Sequence, residues 1–150
     1  MAALSSCNKE EPYYPPVEPE VVGPDIHTVL ITVKANQWDY SKVNNNNYYF
    51  ATVDMPEITQ EAFKTGLIKM YRVWNWGGSD ATQMEMPYSR HIEEYYEDGE
   101  EDWWYYYTES IDYEYSVGKV TICYTLSDFY YEVDESYSPD QMQFRCVIVN

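Results

Sequence analysis

The residues best suited to proton transfer are His91 and the carboxylates near it. In a strand, His91 would share a face with Glu93, and a Glu–His pair can move a proton near neutral pH. The adjacent carboxylates Glu93–Glu94 and Glu100–Glu101 lie in a charge-dense segment, so they carry no specific signal for glycoside cleavage. The sequence has no HExxH motif, no phosphate-cradling glycine loop and no serine in a nucleophile-elbow context. We therefore expect a protein that is not an enzyme.

Metal-ligand patterns are equally weak. The acidic run of residues 97–102 offers the carboxylate oxygens that Ca²⁺ prefers, but it lacks the alternating spacing of a dedicated calcium loop. Cys123, Cys146 and the two histidines lack the compact spacing of a zinc site. The sequence predicts a solvated charge run at 97–102, no metal and no cofactor.

The same two cysteines bear on disulfide formation. If Val120 and Ile122 face the core, Cys123 faces the other way, whereas Cys146 shares the face of Phe144. Side chains on opposite faces of one sheet cannot be bridged, because their Cα–Cβ bonds diverge. The alternation favours two buried free thiols, and a disulfide is the alternative.

An aromatic run at residues 103–107 (WWYYY) is the best candidate for a binding surface. Positions 103, 105, 107, 111, 113 and 115 are apolar or aromatic, whereas the even positions from 108 to 116 are polar, so the odd side is predicted to face the core. Trp104 and Tyr106 then lie on the polar side, where sugars or a protein partner can stack on them. Trp76, in a glycine-rich loop, is a third candidate ligand-binding residue. The alternative is that the helix or a loop covers Trp104 and Tyr106, and that Trp76 packs against the core.

A short segment near the start of the chain points to a membrane. Leu4-Ser5-Ser6-Cys7 resembles the lipobox of bacterial lipoproteins, a family in which the cysteine is acylated and the residues before it are removed. The following Lys9-Glu10-Glu11 resembles the charged signal that routes some Gram-negative lipoproteins to the outer cell surface. Met1-Ala2-Ala3 lacks the basic start and apolar stretch of a signal peptide, so we expect an upstream start or a trimmed copy. The resemblance implies lipidation at Cys7 and an extracytoplasmic, outer-membrane protein with the bilayer as a partner.

The next residues predict a spacer. Residues 12–24 (PYYPPVEPEVVGP) contain five prolines, which favour an extended polyproline conformation. From Cys7 to Pro24 such a tether could reach about 50 Å. We therefore assign residues 1–24 to a signal remnant, the lipid-attachment cysteine and a tether, and residues 25–150 to a single domain.

Composition limits the possible partners of this domain. The formal net charge is −17, and clustered Lys and Arg are missing, so nucleic acid is excluded as a partner. Aromatic residues make up 18% of the chain, which favours a packed fold over disorder.

The body shows mostly period-two patterning and predicts an all-β fold. We expect an antiparallel β-sandwich, Ig-like or Greek-key in style, with about seven to nine short strands and one short helix inserted near residues 60–65. Thr59 should cap this helix, and Gly66 should end it in the left-handed conformation. Residues 43–47 should form a loop. The expected strands are 27–35, 48–53, 67–74, 82–87, 88–97, 103–115, 119–126, 129–133 and 142–149.

In general sequence character, the domain at residues 25–150 resembles small secreted β-rich lipoproteins of Gram-negative bacteria. That resemblance and the aromatic run together predict a lipid-anchored cell-surface accessory module that binds a glycan or another ligand. The alternative is a structural subunit of a surface assembly that uses the same rings as a protein–protein interface.

Overall fold

The computed structural model describes residues 23–43, 46–97, 99, 102–128 and 138–150. A 3-10 turn at Ala35–Gln37 and a single α-helix, α1 (Gln60–Thr65), accompany the strands of these ranges. The strands are β1 (Ile26–Val33), β2 (Asp39–Val43), β3 (Asn46–Asp54), β4 (Leu67–Trp74), β5 (Thr82–Glu85), β6 (Tyr88–Glu97), β7 (Asp102–Ser116), β8 (Lys119–Asp128) and β9 (Met142–Val149).

The nine described strands form two antiparallel sheets. One has the order β1-β9-β4-β5, and the other has the order β2-β3-β8-β7-β6. The inner face of each sheet carries apolar side chains at alternate positions, as in β9, where Met142, Phe144, Cys146 and Ile148 are all buried. These residues join Ile122 and other inward residues of the second sheet in one core. The predicted all-β sandwich is confirmed.

The short helix is found where the sequence placed it. The Thr59 side chain accepts a hydrogen bond of 3.0 Å from the backbone N–H of Ala62, which satisfies one of the free donors of the first turn. Gly66 ends the helix with φ −80° and ψ 172°, so the expected left-handed conformation is wrong. Glycine is needed there because an added Cβ would lie 2.7 Å from the carbonyl oxygens of Ala62 and Val149.

The strand predictions differ from the structure mainly between residues 39 and 54. Residues 39–43 form β2 and residues 46–54 form β3, so most of the expected 43–47 loop belongs to a strand pair. The expected strand at 103–115 is found as β7, with one more residue at each end. The expected strand at 129–133 lies outside the described residues.

Both body cysteines are free thiols. Cys146 is buried on the inner face of the four-stranded sheet, whereas Cys123 is half-buried on the outer face of the five-stranded sheet. Both thiols are free, as predicted, but only Cys146 is fully buried, and the two residues belong to different sheets rather than to opposite faces of one sheet. Burial raises the pKa of Cys123 to about 12, with further contributions from the negative charges of Asp112 and Glu114.

A candidate ligand-binding face

The hairpin formed by β6 and β7 determines which aromatic side chains share a surface. Its register pairs Glu97 with Asp102, so the loop spans residues 98–101 and is longer than a two-residue turn. In this register Tyr95 lies opposite Trp104, and Glu93 lies opposite Tyr106. Successive cross-strand pairs alternate between the two faces of a sheet. Arg90 and Glu109 form an inward pair, so the pairs three and five residues further along β6, Glu93–Tyr106 and Tyr95–Trp104, point to the outer face. We call Glu93, Tyr95, Trp104 and Tyr106 the ring face.

The three rings of the ring face are exposed to solvent. The exposed fractions are 55% for Trp104, 60% for Tyr106 and 44% for Tyr95. The centroids of the Tyr95 and Trp104 rings are 4.8 Å apart, and their planes are inclined by 43°. Such a contact holds both rings in place while each keeps a surface open. The helix and the loops of the described ranges therefore leave Trp104 and Tyr106 uncovered.

Polar groups lie beside the rings. The Tyr106 hydroxyl donates a hydrogen bond to the Glu93 carboxylate, which raises the pKa of Tyr106. His91 Nδ1 and Thr108 Oγ1, the next cross-strand pair along the hairpin, share a hydrogen bond of 2.9 Å. The structure thus gives His91 a threonine partner, where the sequence suggested Glu93. The face combines flat apolar surfaces with hydrogen-bonding groups at their edges.

Trp76 belongs to a different part of the fold. It lies in the loop between β4 and β5 of the four-stranded sheet, and 48% of its surface is exposed. A hydrogen bond of 2.8 Å from Asn75 Nδ2 to Asp80 Oδ2 closes this loop. Trp76 is therefore an exposed ring, as predicted, but the strand register does not bring it onto the ring face.

Beneath the ring face, the inner side of the hairpin carries a buried charge. Glu109 is 6% exposed and accepts hydrogen bonds from Arg90 Nε at 2.8 Å and from the hydroxyls of Tyr88 and Tyr124, each at 3.2 Å. Burial and the neighbouring Glu109 charge raise the pKa of Tyr88 well above its usual range, so its hydroxyl stays a donor. These bonds fix the base of the hairpin that carries the rings.

Trp74 ties this cluster to the other sheet. The Arg72 guanidinium lies 5.1 Å from the centroid of the Trp74 ring, and the Arg90 guanidinium lies 5.7 Å from it. Arg72 Nη1 also donates to the carbonyl oxygens of Val73 and Gln143, at 2.7 and 3.0 Å. Two cations on one ring, one from each sheet, help to set the position of β6 against β4.

The ring face and the N-terminal end of the domain lie at opposite ends of the sandwich. The backbones of Asp25 and Asn150 bond to each other where β1 begins, and Ile26 and Leu67 both pair with Val149 at that same end. Gly118, in the turn after β7, bonds to Ile58 beside α1 and so belongs to this end too. Trp104 lies twelve residues before the last residue of β7, which is about 40 Å along an extended strand.

Two expectations concern residues that the structure does not describe. Cys7 lies outside the described residues, as do residues 98, 100 and 101 of the acidic loop. Among the described residues, no group of three or more His, Cys, Asp or Glu side chains is placed to hold a metal ion. Lipidation at Cys7 stays a prediction.

Sequence reasoning missed two residues of this region. Tyr95 completes the ring face, and the signal was the register itself, since a hairpin that pairs residue 97 with residue 102 must pair 95 with 104. Glu109 interrupts the apolar odd positions of β7 and is nevertheless buried. Its three donors come from strands β6 and β8, which no local pattern connects.

The comparisons with known proteins identified no relative of this chain. No protein-family model matches the chain, no curated protein matches its sequence, and no solved structure matches its fold. Within the described residues, no helix has the length and apolarity needed to cross a bilayer.

Proposed function

We propose that this chain is a lipid-anchored cell-surface protein that binds a glycan through the ring face and performs no catalysis. The observation that carries the proposal is the exposure of Tyr95, Trp104 and Tyr106 together, with polar neighbours, on the outer face of the β6–β7 hairpin. Large apolar side chains on a monomer surface usually mark an interaction site when they lie together and have polar neighbours.

The chemistry of the face suits a sugar. One side of a sugar ring presents C–H groups, which pack on a flat aromatic ring, and its hydroxyls reach outward to hydrogen-bonding groups. Trp104 and Tyr106 can supply the flat surfaces. The Glu93 carboxylate can accept hydrogen bonds from sugar hydroxyls, and charge-assisted bonds of this kind are stronger than neutral ones.

The placement of the face supports surface presentation. The chain enters the domain at Asp25, and the rings lie toward the far end of β7. A domain held through its N-terminal end would point the hairpin away from the membrane. This geometry keeps the rings accessible to a large extracellular polymer.

The proposed anchor is fatty acylation of Cys7, and the outer membrane is the proposed partner. One acyl chain anchors a protein only marginally, whereas two or more hold it durably. Expression with an upstream signal peptide, followed by intact mass measurement, should show fatty acyl groups on the protein. The Cys7→Ala variant should lack them, and an unmodified wild-type protein in the membrane fraction would contradict the anchor.

Glycan binding is tested by titrating the protein with soluble glycans and following tryptophan fluorescence and heat. Trp104→Ala should abolish the response to a bound glycan, because it removes the largest flat surface of the face. Trp103→Ala is the matched control: Trp103 is the adjacent residue, 42% exposed, and points to the opposite side of β7. Equal losses in the two variants would argue against the ring face as the site.

The second candidate function is assembly into a surface complex. Strand β6 is the last strand of its sheet in the described ranges, and such a strand can pair with another chain. Tyr and Trp are also enriched where proteins bind each other. If no glycan gives a response and Trp104→Ala instead abolishes self-association, the rings form a protein–protein interface.

A further inference from the structure

The outer face of the five-stranded sheet carries an excess of carboxylates over cations. The strand registers place one ammonium group on this face, that of Lys119, among the described residues. They place several carboxylates there, and two of them, Glu93 and Glu97, lie on β6 next to the rings; the others include Asp39, Asp54, Asp112 and Glu114. A ligand that approaches Trp104 and Tyr106 therefore meets a negative potential, which raises the local concentration of cations and repels anions.

Glu93 gives this potential a specific position next to the rings. It is paired with Tyr106 and lies two residues from Tyr95 on the same face of β6. An aromatic face attracts a cation through its quadrupole, and Trp is the strongest of the aromatic side chains in this respect. A carboxylate beside exposed rings is a common way to bind an ammonium group, because the carboxylate supplies charge and the ring supplies a weakly hydrated surface.

The arginines of the chain itself already lie on other rings. The sequence has three arginines, and the guanidinium groups of Arg72 and Arg90 lie over Trp74, while that of Arg145 lies 4.7 Å from the Tyr71 ring centroid. The fold thus uses ring–cation contacts repeatedly within its own body. On the ring face, the rings and Glu93 offer the same chemistry outward.

We propose that the ligand of the ring face is a glycan with free amino groups, whose protonated amine binds between Glu93 and the Trp104 ring. This inference rests on the glycan-binding function proposed above and adds the charge class of the ligand. Sulfated and uronic-acid glycans are disfavoured by the same carboxylates. The charge contribution is exposed, so it weakens as salt rises.

The test uses two ligands with the same sugar backbone: glucosamine oligomers, which carry protonated amines, and the fully N-acetylated oligomers, which are neutral. Because the acetyl group also adds size and apolar surface, the contribution of charge is read from the effect of Glu93→Gln on the preference. Binding to the purified chain is measured by calorimetry at low salt and at a pH at which the amines are protonated. We expect the amine form to bind about fivefold more tightly, the size of one exposed ion pair with a ring–cation contact. Glu93→Gln should remove this preference.

Glu114→Gln is the matched control, since it removes one carboxylate from the same sheet face at a β7 position paired with Thr121 on β8. It should leave the preference unchanged. If both variants reduce it equally, the preference comes from diffuse charge, and the assignment to Glu93 is wrong.

Three further outcomes separate this inference from the proposed function. If both oligomers bind equally and Trp104→Ala abolishes binding, glycan binding stands and the amine preference is refuted. If neither these oligomers nor any other glycan binds, both proposals fail. If oligolysine binds in a Trp104-dependent manner and no glycan does, the partner is a basic peptide, and the glycan assignment is overturned.

Discussion

Arg90 Nε lies 2.8 Å from Glu109 Oε1, and this ion pair joins the last strand of the five-stranded sheet to its neighbour at the base of the ring-bearing hairpin. Nearly half of the Arg90 side chain is exposed, whereas Glu109 is almost fully enclosed. The carboxylate therefore depends on its three donors, and the hairpin depends on the carboxylate for its alignment over the core.

Replacement of Glu109 should destabilise the domain. Glu109→Ala leaves the hydroxyls of Tyr88 and Tyr124 and the Arg90 guanidinium without their acceptor. We expect the free energy of unfolding to fall by about 2–3 kcal/mol. This loss is smaller than the loss on removing one partner of a fully buried ion pair, because Arg90 is partly solvated. Glu114→Ala, on the outer face of the same strand, should change it by less than about 0.5 kcal/mol. Urea unfolding measures both values, and similar losses would contradict the structural role of Glu109.

The contact between Tyr95 and Trp104 should stabilise the hairpin measurably. A double-mutant cycle with Tyr95→Ala and Trp104→Ala should give a coupling energy of about 0.5–1 kcal/mol, typical of an aromatic cross-strand pair. The cycle is read from urea midpoints at constant m-value. Additive effects of the two substitutions would mean that the rings do not interact in solution.

A side chain at position 66 should destabilise the domain. In Gly66→Ala the new Cβ would lie 2.7 Å from two backbone oxygens, which belong to Ala62 and Val149, so either α1 or β9 must shift. We expect a loss of about 1–3 kcal/mol, as in other overpacked sites. Gly23→Ala is the control, because an added Cβ at Gly23 meets no atom within 4 Å. Thermal and urea unfolding of the two variants should therefore differ clearly.

The two thiols should make the domain less stable in alkali. Burial raises the pKa of Cys123 from 9.0 to about 12 and that of Cys146 from 9.0 to about 11. The unfolded chain releases these protons near pH 9, whereas the folded chain retains them. The thiols therefore leave the free energy of unfolding unchanged below that pH and lower it between about pH 9 and 12. The slope is at most ~1.4 kcal/mol per pH unit for each thiol, and less for the half-exposed Cys123.

Urea unfolding over this pH range tests the thiol contribution. The double variant Cys123→Ser with Cys146→Ala should lose stability less steeply with pH than the wild-type chain. Tyr88 and Tyr113, whose pKa values are also raised, remain in both proteins and provide the common background. Parallel slopes in the two proteins would show that neither thiol contributes.

Much of the ring face could be predicted because strand alternation is local. The polar even positions of β7 from residue 108 onward assign Trp104 and Tyr106 to the outer face, whatever the sheet packs against. By contrast, the exposure of Trp103 on the inner side was not predictable. Among the described residues, Tyr107 is the first residue of β7 that pairs with β8, and Trp103 precedes it. Alternation assigns a side chain to a face but cannot show what covers that face.

Sequence alone determined the elements with local causes: the alternating strands, the helix at Gln60–Thr65 and its Thr59 cap, and the face on which each ring lies. Tertiary structure decided what depends on residues distant in the chain. It placed Val149 against Gly66, so that glycine is required there for space and not for a left-handed turn. It also brought Arg90, Tyr88 and Tyr124 to Glu109, because a charge can be buried only where strand pairing and sheet packing supply its donors.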